Sequence, residues 1–132
     1  MTAPATALTG QSLQVSLTVK DLQKSVTWYV DVLGFSQDRP IERDGTLRGF
    51  ALSAGNVRVN LNLDDGAKGW TRTKGEGFSL RLNTAQDVDV LARRIKERGG
   101  VLDMEPKDMP WGARIFSLRD PDGFKWIISK AL

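Results

Sequence analysis

The sequence predicts an α+β fold of two βαβββ modules, with helices on one face of curled mixed sheets and a cleft on the other. Two patterns lead to this prediction. Short segments with alternating apolar and polar residues are typical of half-buried strands, and each half of the chain adds one segment with apolar residues at helical spacing. The order of one strand, one helix and three strands then occurs twice among 132 residues, which indicates an internal repeat.

The first module is predicted over residues 13–63. Its first segment, LQVSLTV, alternates strictly and places four apolar residues on one face: Leu13, Val15, Leu17 and Val19. Asp21 is a typical N-cap for the helix that follows, and Gly34 is expected to end that helix. Three further strands are predicted near 37–42, 47–53 and 57–63.

A polar, glycine-containing loop at 64–76 is expected to connect this module to the second, which is predicted over residues 77–132. The second module opens with a strand at 78–83, and Thr84 is a plausible cap for a helix that ends at Gly99. Its remaining strands are predicted near 101–105, 112–119 and 124–129. Residues 1–12 are predicted to form a flexible N-terminal arm, and 13–132 a single domain.

Composition excludes several classes of function. The chain has no cysteine and no histidine, so disulfides, thiolate metal sites and an imidazole base are absent. No apolar run approaches the ~18–20 residues of a membrane helix, and no secretory signal is recognisable, so cytoplasmic residence is expected. The net charge is +3 with scattered Lys and Arg residues, which does not favour nucleic acid as a partner.

Two segments carry a resemblance to a known family. Residues 15–35, VSLTVKDLQKSVTWYVDVLGF, and residues 111–126, WGARIFSLRDPDGFKW, resemble the vicinal oxygen chelate superfamily. That superfamily includes glyoxalase I, extradiol dioxygenases, and the fosfomycin-resistance and bleomycin-resistance proteins. The resemblance covers residues 13 to 130 and implies the two-module fold. It does not assign a reaction, because this fold hosts several unrelated activities.

The resemblance also bears on metal binding. Metal-dependent members use a His or Glu ligand on each of four strands, and the corresponding positions here are Gln14, Asn60, Ser79 and Ile127. Two neutral amides and a hydroxyl supply no charge to offset the dehydration of a divalent cation, and isoleucine cannot coordinate one. The sequence therefore predicts neither a metal site nor a cofactor.

Trp111 lies between Pro110 and Gly112 and has two possible roles. This segment is similar to the Pro-Trp-Gly element of the metal-free bleomycin-resistance branch, in which the tryptophan stacks on the aromatic rings of the drug. The resemblance implies that Trp111 is a stacking platform, which suits a rigid indole at a cleft rim. The alternative is that Trp111 packs in the core or at a dimer contact.

The other predicted ligand-binding residues lie on strands or at strand ends: Gln14, Phe50, Arg58, Asn60, Ser79, Arg81 and Arg114. Arginines in place of carboxylates favour a neutral or anionic aromatic ligand over a cationic drug. The predicted function is a metal-free small-molecule binding protein that sequesters its ligand in the cleft. The resemblance implies a homodimer, with the cleft either inside one chain or across the interface.

An alternative is a glyoxalase-like enzyme that acts without the metal. In that interpretation Arg58 or Arg81 polarises a carbonyl or carboxylate of the substrate, and Asp64 or Glu76 acts as the base. A third interpretation is a pure interaction domain whose partner binds elsewhere on the surface.

Other residues have more ordinary assignments. Trp126 is predicted to be core, and Trp70 is either a lid over the cleft or a dimer contact. Asp120 and Asp122 lie in the segment DPDG and are predicted to form a turn, not an acid–base pair.

Overall fold

The structure is a computed structural model that describes residues 7–132. Strands β1 to β4 of the first module span Val15–Val19, Ser36–Arg43, Thr46–Ala54 and Val57–Leu63. Between β1 and β2, helix α1 at Leu22–Thr27 continues into a π-helical segment at Trp28–Leu33. The second module contains β5 at Leu80–Asn83, α2 at Val88–Glu97, and then β6, β7 and β8 at Leu102–Met109, Ala113–Arg119 and Lys125–Ala131.

Each module forms one four-stranded mixed sheet, with the strand orders β1–β4–β3–β2 and β5–β8–β7–β6. The first strand of each module pairs in parallel with the last one, and the other pairs are antiparallel. The two modules therefore have the same topology. This confirms the α+β fold and the repeat of βαβββ that the sequence predicted.

A single hydrophobic core spans both modules. Both sheets and both helical regions contribute side chains to it, and the largest contributors include Leu17, Tyr29, Phe35, Leu61, Ile95, Phe116, Leu118, Trp126 and Ile128. Successive side chains of a strand point to opposite faces of its sheet. Each sheet therefore presents a second face, away from the core, on which most of the predicted site residues are found.

A buried hydrogen-bond chain crosses between the modules at Tyr29. The Tyr29 hydroxyl donates to Oδ2 of Asp120 at 2.7 Å and accepts from Nε1 of Trp126 at 2.9 Å. All three residues are buried. Burial, followed by the neighbouring Asp120 carboxylate, raises the pKa of Tyr29, and burial also raises the pKa of Asp120. The hydroxyl thus satisfies one buried acceptor and one buried donor at the same time.

The DPDG turn connects to the first module at a second point. Oδ1 of Asp120 accepts hydrogen bonds from the backbone N–H groups of Asp122 and Phe124, at 2.9 and 2.8 Å, which holds the turn as the sequence predicted. The Asp122 carboxylate accepts from the backbone N–H of Lys20 at 2.9 Å and from the Ser25 hydroxyl at 3.3 Å. Both carboxylates therefore also link the modules, which the sequence reasoning missed.

Several element boundaries differ from the sequence prediction, among them β5, which begins at Leu80 and not at 78, and β6, which extends to Met109 and not to 105. Two further differences concern β1 and α2. Strand β1 begins at Val15 because its parallel pairing with β4 begins there, and Leu13 is 88% exposed instead of buried. Helix α2 is capped by Asp87, not by Thr84. The Asp87 carboxylate accepts from two backbone N–H groups of the first turn, at 2.9 and 3.3 Å, whereas the Thr84 hydroxyl accepts within the preceding turn.

The predicted N-terminal arm is described in part. Residues 1–6 lie outside the described residues, and residues 7–14 are exposed and form neither strand nor helix. Across the described range 7–132, no helix is long and apolar enough to cross a membrane.

We expect Tyr29→Phe to lower the free energy of unfolding by about 1–3 kcal/mol, because it leaves the buried Asp120 oxygen and Trp126 N–H without their partner. Thr27→Val is a matched control, since it removes an exposed hydroxyl from the neighbouring helical turn and should cost less than about 0.5 kcal/mol. Urea unfolding of both variants measures the difference. Equal stability of the two variants would mean that the bridging hydroxyl contributes nothing.

Candidate functional site

On the first sheet, the face away from the core carries a small polar cluster. Nε2 of Gln14 donates to Oδ1 of Asn60 at 3.3 Å, so two of the predicted site residues contact each other. A guanidinium nitrogen of Arg58 lies 4.0 Å from Oδ2 of Asp38. The Asp38 carboxylate also accepts from the hydroxyl of Ser53 at 2.9 Å. The Arg58 charge is therefore already offset by a neighbouring acid.

On the second sheet, Trp111 occupies the turn between β6 and β7. The backbone N–H of Gly112 donates to the carbonyl of Met109 at 3.1 Å, which closes a tight turn with Pro110 and Trp111 at its centre. Gly112 has φ of 89°, a left-handed conformation that favours glycine. The indole is 56% exposed, which rules out the core interpretation of Trp111. The turn thus holds a large aromatic side chain at the surface.

Arg81 lies directly beside this indole. Its guanidinium carbon is 6.0 Å from the centroid of the Trp111 ring, at the limit of a cation–π contact. Within residues 7–132, no carboxylate forms an ion pair with Arg81. Its positive charge is therefore available to a ligand that approaches the same ring.

A cavity of about 570 Å³ opens next to Trp111 and Arg81. Its polar lining also includes Asn83, Ser129 and Lys130, which the sequence reasoning did not select. Two of these residues could have been predicted from strand alternation. Asn83 follows Arg81 by two residues and therefore shares its face, and Ser129 is the register partner of Asn83. The lining contains no carboxylate, so the cavity has a positive character.

Phe50 lies on the opposite face from the one predicted. It pairs with Leu61 across β3 and β4, and directly paired residues share a face of the sheet. Leu61 is fully buried, and Phe50 packs against the same core. Phe50 was selected because aromatic residues cluster at strand ends, which says nothing about the face of the sheet. Alternation along β3 places Phe50 on the same face as the buried Leu52.

Arg114 also lies on the core side of its sheet and not in the cavity. Its guanidinium bonds both oxygens of Asp89 on α2, at 2.8 and 2.9 Å, and Oδ1 of Asp108 at 3.0 Å. Hydrogen bonds to Asp89 and then Asp108 raise the pKa of Arg114, and the Arg114 guanidinium lowers the pKa of Asp89. The expectation that Arg114 binds ligand is thus corrected, because its donors are used to join α2 to the β6–β7 hairpin.

The predicted residues therefore form two separate groups within one chain. Gln14, Asn60 and Arg58 lie on the first sheet, whereas Arg81 and Trp111 lie on the second. Every residue that lines the cavity at Trp111 belongs to the second module. Across residues 7–132, no hydrogen bond or ion pair connects the two groups. Ser79 is exposed and precedes β5.

The loop between the modules contains a buried ion pair. Nζ of Lys74 lies 2.7 Å from Oδ2 of Asp64 and 3.6 Å from Oδ1 of Asp122. The Lys74 ammonium, and then the backbone N–H of Gly66, lower the pKa of Asp64 below its ordinary value of 3.8. A buried, ion-paired carboxylate with a lowered pKa is a poor general base. The role of base that the sequence suggested for Asp64 is therefore corrected.

Trp70 contacts its own loop. A Cβ atom placed on Gly66 would stand 2.4 Å from the Trp70 ring, and Gly66 has φ of +75°. The indole thus packs directly on a glycine backbone while 52% of its surface stays exposed. Trp70 is absent from the lining of the cavity at Trp111.

The chain belongs to the Glyoxalase/Bleomycin resistance protein/Dioxygenase superfamily, because the sequence model of this family matches residues 11–128. In three dimensions it is similar to the crystal structure of TioX from Micromonospora sp. ML1. The TM-score is 0.74 and the identity 26%, over 93% of this chain and 100% of that one. This chain and TioX therefore share one fold.

Two curated relatives carry the name of one enzyme. The chain is 28% identical over 118 residues to lactoylglutathione lyase GLX1 of Arabidopsis thaliana, which covers 85% of this chain and 41% of that protein. It is also 28% identical over 120 residues to a probable lactoylglutathione lyase of Synechocystis sp. (strain ATCC 27184 / PCC 6803 / Kazusa), covering 86% and 89%. The chain thus spans less than half the length of the Arabidopsis protein.

The four positions that the sequence resemblance identifies with metal ligands do not fit a divalent cation. The registers of the two sheets show that these positions are equivalent in the two modules. Gln14 lies two residues before Ser16, the partner of Asn60, and Ser79 lies two residues before Arg81, the partner of Ile127. None of the four side chains is anionic, and the isoleucine side chain has no atom that can coordinate a metal. Across residues 7–132, no three Asp or Glu residues lie close enough together to hold a metal.

The Asp64 ion pair leads to a pH prediction. Because the pKa of Asp64 is lower in the folded chain than in the unfolded one, the ionised carboxylate stabilises the fold above pH 3.8, the ordinary value. This stabilisation is lost as the pH falls through the folded pKa. We expect Asp64→Asn to reduce the loss of stability between about pH 5 and pH 2. Urea unfolding at several pH values measures this slope.

Asp65→Asn is the matched control, since Asp65 is an adjacent, exposed acid outside the ion pair. This variant keeps the ion pair between Asp64 and Lys74, so its stability should fall more steeply with decreasing pH than that of Asp64→Asn. Asp89, whose pKa is also lowered, contributes to the slope in all three proteins. A slope in Asp64→Asn as steep as in the unchanged chain would contradict the assignment.

Proposed function

We propose that this chain is a small-molecule binding protein that holds a neutral or anionic aromatic ligand at Trp111 without a metal ion. The observation that carries the proposal is an exposed indole, fixed in a tight turn, beside an arginine that has no acidic partner among residues 7–132. Such an indole offers a large flat surface at low cost in conformational entropy. The adjacent cavity of about 570 Å³ lies within the size range of ligand pockets.

The charges of the cavity support the choice of ligand. Arg81 contributes positive charge to the lining, and the lining has no carboxylate. An anionic group on the ligand would gain charge-assisted hydrogen bonds there, whereas a cationic group would be repelled. Asn83 and Ser129 add neutral polar groups that could orient the ligand. A cationic drug such as bleomycin is therefore a poor fit.

The names of the curated relatives favour a lyase, but the residues of this chain support binding better. The positions that the sequence resemblance identifies with metal ligands carry neutral side chains, and Asp64 forms an ion pair with Lys74. Glu76 is exposed in the connecting loop and does not line the cavity at Trp111. A binding role in the manner of the bleomycin-resistance branch requires none of these groups to react.

We further propose that two copies of the chain pair as a homodimer. Each sheet ends in two edge strands, and an edge strand that is not covered favours association with another strand. The polar cluster of Gln14 and Asn60 faces away from the core of its own module and does not contact the cavity at Trp111. A pair of copies would allow the first sheet of one to complete the cavity of the other.

The central test is Trp111→Ala with 2-naphthoate, an aromatic carboxylate, as the probe. We expect the free energy of unfolding to change by less than about 1 kcal/mol, because the indole is exposed. The affinity for 2-naphthoate should fall by about one to two decades, the usual contribution of a stacked ring. Calorimetry measures the affinity and urea unfolding the stability.

Trp126→Ala is the matched control, because it is the same substitution at a tryptophan that is only 2% exposed. It should cost about 3–5 kcal/mol in stability. The neutral amide of the probe should bind more weakly than 2-naphthoate, and 2-naphthylmethylammonium most weakly of the three. A Trp111→Ala variant that binds 2-naphthoate normally would refute the proposed platform.

We expect the purified chain to hold no stoichiometric transition metal. The neutral residues at the four family positions are the reason. Elemental analysis of the purified chain after dialysis against metal-free buffer measures the content. Close to one zinc, nickel, iron or manganese ion per chain would contradict the proposal of metal-free binding.

We expect sedimentation velocity at micromolar concentration to give the mass of a dimer. The edge strands of both sheets provide the physical reason. A single species with the mass of one chain, at every concentration up to the highest that can be measured, would contradict this expectation.

A further inference from the structure

A second cavity lies on the other side of the second sheet, between the two modules. It has a volume of about 270 Å³ and opens between the end of the π-helical segment and α2. Phe35, Leu82, Phe116 and Ile128 form much of its apolar wall. Leu82 and Ile128 alternate with the residues that face Trp111, so the sheet separates the two cavities. This cavity is independent of the function proposed above.

Two arginines of α2 and its C-terminal end stand at this cavity. Leu91, Arg94, Ile95 and Arg98 all line it, at the spacing that places residues on one face of a helix. The apolar members pack against the core, while both arginines are exposed. The cavity thus has an apolar interior and a cationic border.

The two arginines differ in what they already bind. A guanidinium nitrogen of Arg98 donates to the backbone carbonyl of Asp31 at 3.0 Å. For Arg94, the described part of the chain provides neither an ion-pair partner nor a side-chain hydrogen bond. No carboxylate lines the cavity. The positive charge at its border is therefore not offset by the protein.

We propose that this cavity binds a small carboxylic acid with an apolar body. The apolar part would lie among Leu82, Phe116 and Ile128, and Arg94 would hold the carboxylate. Arginine is suited to this role because its fork of N–H donors matches the geometry of a carboxylate. The volume lies just below the usual range of about 300–1,000 Å³ for drug-sized ligands, which limits the ligand to a shorter chain or a single ring.

Titration with octanoate, followed by NMR of the 15N-labelled chain, tests this proposal. We expect the amide signals of Gly34, Leu82 and Ile95 to shift, because these residues line the cavity. Octanol and octylammonium have the same chain length but lack the negative charge. Both should bind at least about tenfold more weakly than octanoate, the usual effect of losing a charge-assisted hydrogen bond.

Arg94→Gln should weaken octanoate binding by about tenfold or more. Arg93→Gln is the matched control, because it removes the same charge from the neighbouring position of α2, which does not line the cavity. It should change the affinity by less than about threefold, an effect expected for a screened surface charge. Trp111→Ala should leave octanoate binding unchanged, because Trp111 does not line this cavity. The octanoate result therefore does not depend on whether Trp111 binds 2-naphthoate.

Three results would overturn the proposal. The first is that octanoate shifts no signal at millimolar concentration, and the second is that its shifts surround Trp111 and Arg81 instead. The third is that Arg94→Gln and Arg93→Gln weaken binding equally. Localised shifts that depend on the carboxylate and on Arg94 would support it.

Discussion

The hydrogen bonds that Tyr29 makes to Asp120 and Trp126 hold the two modules in one arrangement. The modules share a single core, so their relative position decides which side chains are buried. Both conspicuous sequence motifs meet at this point. The helix motif contributes Tyr29 and Ser25, and the turn motif contributes both of its carboxylates. The two motifs belong to different modules, so they are far apart in the chain although their side chains are in contact.

The sequence was sufficient to predict the fold because the relevant signals are local. Alternation and helical spacing locate each element, and the repeated order gives the topology. The faces of individual side chains were predicted less well. Phe50 and Arg114 were assigned to the cleft by residue type, but strand register places both on the core side. Register depends on the partner strand, and composition contains no information about it.

The contacts of several acidic residues also could not be predicted from the sequence. Asp120 and Asp122 bind groups of the first module, and these contacts exist only after both modules have folded. Asp89 binds Arg114 and Asp64 binds Lys74, which no local sequence pattern indicates. The exposed position of Trp111, in contrast, could be predicted, since Pro110 and Gly112 restrict the backbone on either side of it. Local geometry was therefore predictable, while the pairing of charges was not.

Strand β5 has only four residues, and it serves both cavities at once. Arg81 and Asn83 line one cavity, and Leu82 between them lines the other. An insertion or deletion of one residue in this strand would exchange the two sets, exposing the leucine and burying the charge. Evolution can therefore alter either cavity by substitution but not by changing the length of β5. Side chains on opposite faces do not touch, so the two cavities are free to diverge separately.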